Sequence, residues 1–306
     1  MEVAFSHWSA SWPALACYVV VAGAHLLGYL RMRPGISRQR REQAVLFHLG
    51  MLTGLLALVS PVGFWSDAYL WVRAVQFLLI AIVAPGLIVV GAPWSVLHRA
   101  ATRRGPAADA QTAWSGEPGQ RADHPVSGMD EAPARVPWLL ARPTLAVVVA
   151  LVVWVGWQLP VLYDAAVTSS AVALASHVTC LAAGVVFWLQ LIGSAPLQPA
   201  APPLRRMALV IVTAAVTTIL GMVLVFGSGV LYPVYANSWH HVMTVLDDQQ
   251  LSGAVLWMGS LPPLITVAIA LLMRWLNDEE SAELSAGFDR LLTPRKHAWS
   301  ARPGIR

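Results

Sequence analysis

Seven stretches of roughly 20 mostly apolar residues recur along the chain, near 12–30, 44–64, 69–97, 143–162, 171–193, 206–231 and 251–276, each long enough as a helix to span the hydrocarbon of a bilayer. Inside lipid, only helices and closed barrels satisfy every backbone N–H and C=O group. Runs this long and continuous suit helices, so the sequence predicts an all-α, polytopic membrane protein with seven transmembrane helices. Charged residues make up 12% of the 306 positions, against about 25% in soluble domains, which excludes a water-soluble fold. The third run is long and carries Arg73, and Pro85 and Pro93 are expected to kink it or end it.

The distribution of charge supplies the orientation. Seven spans sort the connections into two sets, and 19 of the 20 Lys and Arg residues fall in one set. They occupy the stretch from Arg31 to Arg41, the segment from Arg99 to Arg142, the Arg205–Arg206 pair and the C-terminal tail. The twentieth is Arg73, within a span, and the other connections hold none. By the positive-inside rule the N-terminus lies outside and the C-terminus in the cytoplasm. The net charge of +4 then follows from topology and anionic lipid, which leaves no support for a nucleic-acid role. No basic stretch precedes the first run, so that run is expected to remain as a helix rather than be removed as a signal peptide.

This gives one transmembrane domain over 1–281 and a basic cytoplasmic tail over 282–306. Residues 99–142, rich in Ala, Pro, Gly and charge, read as a disordered cytoplasmic loop. Cys17 and Cys180 lie singly in apolar runs, with neither a disulfide framework nor a zinc motif. Gly50 and Gly54, and the stripe Thr213, Thr217 and Gly221, read as helix-packing seams.

Ionisable groups at membrane depth are expensive and mark candidate sites. Arg73 and His177 fall in the outer third, with Asp67, Asp164, His240, His241, Asp247 and Asp248 on the outer rim. Arg73 cannot shed its proton, so it needs an acid; Asp248 is the expected partner, with Asp67 or Asp247 as alternatives, and His177 and Gln249 are expected to join the cluster. In the inner half, His25 and His48 are secondary candidates: hydrogen-bonded neutral imidazoles in the plain reading, axial haem ligands in the functional one. The outer stretch with His240, His241 and Met243 mixes imidazole and thioether donors that suit copper.

Four segments carry a family resemblance. Ser60 and Pro61 end the second run; Gln76 to Pro93 reads QFLLIAIVAPGLIVVGAP; His177 to Pro196 reads HVTCLAAGVVFWLQLIGSAP; and LYPVY from Leu231 is followed by DQQLSGAVLW from Asp248. These resemble the CtaG family, seven-helix bacterial membrane proteins associated with assembly of cytochrome c oxidase and its copper. The resemblance implies a multi-pass protein of the bacterial cell membrane, with oxidase subunits as partners and copper as the candidate cofactor. Members of the family show two histidines four apart on the third helix, where this chain has Arg73 and Phe77. Neither can ligate copper, which leaves His177 without that pair, while Gln76 between them is retained.

The expected function is therefore non-enzymatic assembly of cytochrome c oxidase, acting as a chaperone linked to copper insertion. Two alternatives come from other classes: a transporter or channel for copper or a small solute, with His177, Met222 and the stripe around Thr213 lining the path, and an electron carrier with haem between His25 and His48. No nucleophile–base pair, phosphate loop or paired-carboxylate motif points to an enzyme.

Overall fold

The computed structural model describes residues 12–30, 38–94, 96–97, 138, 140–195, 197–237 and 243–292. We number its helices α1 (Trp12–Leu30), α2 (Arg38–Val59), α3 (Pro61–Trp65), α4 (Leu70–Val90), α5 (Pro143–Trp157), α6 (Pro160–Thr168), α7 (Ser170–Leu191), α8 (Pro203–Phe226) and α9 (Val245–Leu292). Among the described residues the fold is all helical, apart from an isolated bridge between Ser194 and Leu197. Most of the segment expected as a loop over 99–142 lies outside the described residues, as do His240 and His241.

Six helices, α1, α2, α4, α7, α8 and α9, are long and apolar enough to cross a bilayer. The expected fourth span differs: α5 and α6 meet at 66°, and a seventh span exists only if this bent pair counts as one. The break has a local cause. Leu159 precedes Pro160, whose ring disfavours helical geometry in the residue before it, and Leu159 is accordingly extended (φ −67°, ψ 135°). The 15 residues of α5 rise about 22 Å, short of the hydrocarbon thickness.

The centre of the bundle is α4, enclosed by α2, α7 and α9. Two-thirds of its most apolar stretch is buried (67%), against 17 to 39% for the other five spanning helices. As the prolines foretold, α4 is irregular. A π-helical turn over Leu79–Val83 leads into Pro85, which has no N–H to continue the ladder. The neighbouring helix packs closely on this irregular stretch. The Trp188 indole of α7 donates to the Ile82 carbonyl at 2.8 Å, and Gly184 lets α7 lie directly against Ala81 and Pro85, where any Cβ would collide. At the far end the chain leaves the helix through Ala92 in left-handed geometry (φ 42°). There Ser194 donates to the Val89 carbonyl and accepts from the Trp94 indole, both at 2.7 Å.

The small-residue seams lie where expected. A Cβ on Gly50 would meet the Ala84 carbonyl at 2.8 Å. Gly221 of α8 and Gly253 of α9 each rest on the other's carbonyl, with built Cβ contacts of 2.7 and 2.6 Å. One turn further on, Ser260 donates to Thr217 across the same seam at 3.2 Å. The last helix exceeds its expected 251–276 run. Its 48 residues extend about 72 Å, so the segment expected as a tail from 282 begins as helix.

Candidate functional site: a polar cluster at one end of the bundle

The three Arg- and Lys-free connections gather at one end, held by side chains that reach between them. Tyr235 donates its hydroxyl to the Ser66 carbonyl at 2.9 Å, and Tyr232 donates to the Gln158 carbonyl at 2.7 Å. Burial pushes both phenols above their ordinary pKa, so they remain protonated donors throughout the physiological range. Gln249 clamps the connection before α9, accepting from Leu231 N–H at 2.7 Å and donating to the Gly229 carbonyl at 3.0 Å.

The two acids at the start of α9 have separate tasks. Asp247 is exposed and pairs with Thr244 in a local cap, its Oδ2 accepting from the threonine hydroxyl at 2.6 Å and its N–H donating to the Thr244 oxygen at 3.1 Å. Asp248 is buried and caps a different helix: its carboxylate accepts from the Leu70 and Trp71 N–H groups at 2.8 and 3.0 Å. Tyr69, the residue before α4, offers that helix no side-chain cap, so α9 supplies one. A carboxylate against the first free N–H groups of a helix is favoured by both hydrogen bonding and the helix dipole.

Arg73, expected to pair first with Asp248, reaches Asp67 instead, Nη1 to Oδ1 at 3.4 Å. Asp248 is committed to the α4 N-terminus one turn away, whereas Asp67 stands in the connection directly above the guanidinium. The guanidinium carbon also lies 5.1 Å from the centre of the Tyr163 ring. Tyr163 stacks on Tyr232, with centroids 4.4 Å apart, so arginine and tyrosines form one packed group. Gln76 donates to the Ala57 carbonyl of α2 at 2.9 Å. Arg73, Tyr163, Gln158, Ser176, His177 and Cys180 line a cavity of about 40 Å3 beside the α5–α6 break, and Gln76 lines it as well. His177 therefore faces Arg73 across a cavity, while Gln249 belongs to the adjacent clamp rather than to this group.

The other candidates sit apart. His25 and His48 do meet, Nδ1 to Nε2 at 3.3 Å, with ring centres 5.0 Å apart and edge to face. Phe47 covers His25 at 4.2 Å. This is hydrogen-bond geometry; the two imidazoles touch, and a haem needs its iron and macrocycle between them. Met222 is 37% exposed on α8, and Thr213 is fully buried in the α8 packing. Met243 is partly buried just before α9, while its companions His240 and His241 lie outside the described residues. Among the described residues no three His, Cys, Asp or Glu side chains are grouped to hold a metal.

The sequence reading missed Tyr163, Tyr232, Tyr235 and Gln158. The signals were present: two tyrosines flank Pro233 in LYPVY, and Gln158 stands two residues before Pro160.

The family model of the cytochrome c oxidase caa3 assembly factor, Caa3_CtaG, matches residues 23–278. The chain belongs to this family. No curated protein and no solved structure matches it. The match runs from within α1 to within α9. Two of the family-like segments interlock, with Gly184 and Trp188 on Ala81, Ile82 and Pro85 and Ser194 on Val89, while Tyr235 and Asp248 from the others reach Ser66, Leu70 and Trp71.

Proposed function

We propose that this protein is a non-enzymatic, multi-pass factor of the bacterial cell membrane that supports assembly of cytochrome c oxidase by binding an oxidase subunit. The family match across residues 23–278 carries this reading. In cells lacking the protein, assembled oxidase and its activity should fall while membrane integrity stays normal, and an oxidase subunit should crosslink to the restored protein. Unchanged oxidase content and activity, with no such crosslink, would remove the proposal.

The same reading includes seven crossings with the N-terminus outside. Two contacts support counting the bent pair as a crossing. At the start of α5, Thr144 accepts from Arg205 near the start of α8, at 2.8 Å. Beyond its other end, the Gln158 carbonyl accepts from Tyr232, past the opposite end of α8. The bent pair thus contacts α8 near its start and the connection past its far end.

The family's copper does not fit the Arg73 cavity. A guanidinium, fixed in its charge, lines the wall that a copper ion on His177 would face, and Phe77 offers hydrocarbon where a second imidazole would be needed. Any copper link in this proposal rests on His240, His241 and Met243. Copper bound per chain in wild type against His240→Ala/His241→Ala tests it, and equal loading of the two would end it.

A further inference from the structure

We propose that the cavity beside the α5–α6 break is a receptor for one small, singly charged anion, of the size of chloride or a carboxylate group. The argument begins with unmet hydrogen-bonding capacity. A guanidinium carries five N–H donors, and Arg73, only 8% exposed, has one ion-pair contact, at 3.4 Å, to a carboxylate whose side chain is 66% exposed. A pair of that length with an acid facing solvent neutralises little of the charge. Arg73 is also one of the residues that line the cavity.

The other walls lack a counter-ion as well. No Asp or Glu is among the described residues that line the cavity. Gln158 is 6% exposed, and its side-chain amide makes no hydrogen bond with the described residues; the same is true of the His177 ring. A fixed cation, an amide and an imidazole therefore converge on one space with donors to spare, which is the arrangement that binds an anion rather than a metal. The helix break makes this possible: α5 ends at Trp157, and the 66° turn toward α6 leaves Gln158 on the wall instead of in a continuous helical face.

Size selects the ligand. A cavity of about 40 Å3 has room for roughly three water-sized groups. A carboxylate has three heavy atoms, and chloride fits with a water beside it. Sulfate carries two charges, more than the single positive charge available.

The test uses the full chain purified in detergent, with sodium formate, chloride or sulfate titrated against sodium gluconate at constant ionic strength. Formate or chloride should raise the melting temperature in a saturable way; sulfate should not. Arg73→Gln should abolish the rise. Gln158→Leu, which leaves the charge in place, should raise the half-saturating concentration about tenfold, as expected for one lost hydrogen bond to a charged group. Asp67→Asn should act in the opposite direction and lower it several-fold, because the competing carboxylate has gone. A purely structural arginine would not respond in that way. The assembly proposal does not enter this assay, so the two readings fail separately. The absence of any saturable shift in wild type would overturn the inference, as would an equal response in wild type and Gln158→Leu or a sulfate response matching that of formate.

Discussion

Asp67 and Asp248 are both carboxylates within a turn or two of Arg73, yet their surroundings assign them different energetic weight. The Asp67 contact is long and open to solvent, and such pairs contribute about 0 to 1 kcal/mol. Asp248 holds one buried and one half-buried N–H group that have no intrahelical acceptor, and stranding buried donors costs about 1 to 3 kcal/mol. Asp67→Asn should therefore shift unfolding by less than about 1 kcal/mol, while Asp248→Ala should cost about 1 to 3 kcal/mol, with denaturant unfolding in detergent as the measurement. The reverse order would show that the arginine pair, not the borrowed cap, holds this end together. The sequence put Arg73, Asp67 and Asp248 at one depth, and the structure keeps them there. Their pairing was less legible, because it depended on where α4 starts. A helix that opens after Tyr69 with no Ser, Thr, Asp or Asn at its cap needs a partner from elsewhere, and that requirement appears only once the boundary is known.

At the scale of elements, the family-like segments of α4 and α7 are understood as two halves of one fitting. The π turn and Pro85 make α4 irregular, and α7 meets it with a glycine where the backbones touch and an indole that donates to the Ile82 carbonyl. Gly184→Val would force the two helices apart and should destabilise the fold by about 1 to 3 kcal/mol or more, as overpacking does. Trp188→Phe keeps most of the ring volume but strands the Ile82 carbonyl, and should cost about 1 to 3 kcal/mol. Thermal unfolding of both variants checks this; wild-type stability in Gly184→Val would mean that α7 is free to move off α4. Apolar length made six of the spanning helices plain from the sequence. It hid the break between α5 and α6, because Trp157, Gln158, Leu159 and Pro160 continue a run whose mean hydropathy scarcely changes. A window that averages over about 20 residues is blind to a single proline, although the backbone is not.

For the molecule as a whole, charge and contacts supply independent constraints on topology. Charge places 19 of 20 basic residues in alternate connections, and hydrogen bonds tie the remaining connections to one another at one end of the bundle, through Tyr235, Tyr232 and Gln249. The seven crossings proposed above accommodate both patterns, whereas a count that leaves out the α5–α6 pair would put Ser66 and Tyr235 on opposite faces of the membrane. Site-directed labelling can decide this. The exposed Cys17 is first replaced by Ser, leaving buried Cys180 as the only background thiol. Gly229→Cys is a suitable reporter for the Arg-free end because nothing lies within 4 Å of the position where its Cβ would stand. Gly119→Cys reports on the segment between Arg99 and Arg142. In intact cells a membrane-impermeant maleimide should modify Cys at 229 and leave 119 untouched until the membrane is opened. Labelling of both positions from outside would contradict seven crossings, and labelling of 119 alone would invert the orientation. The second result would also move the Arg73 cavity away from the outer solution, so that any anion reaching it would have to come from the cytoplasm.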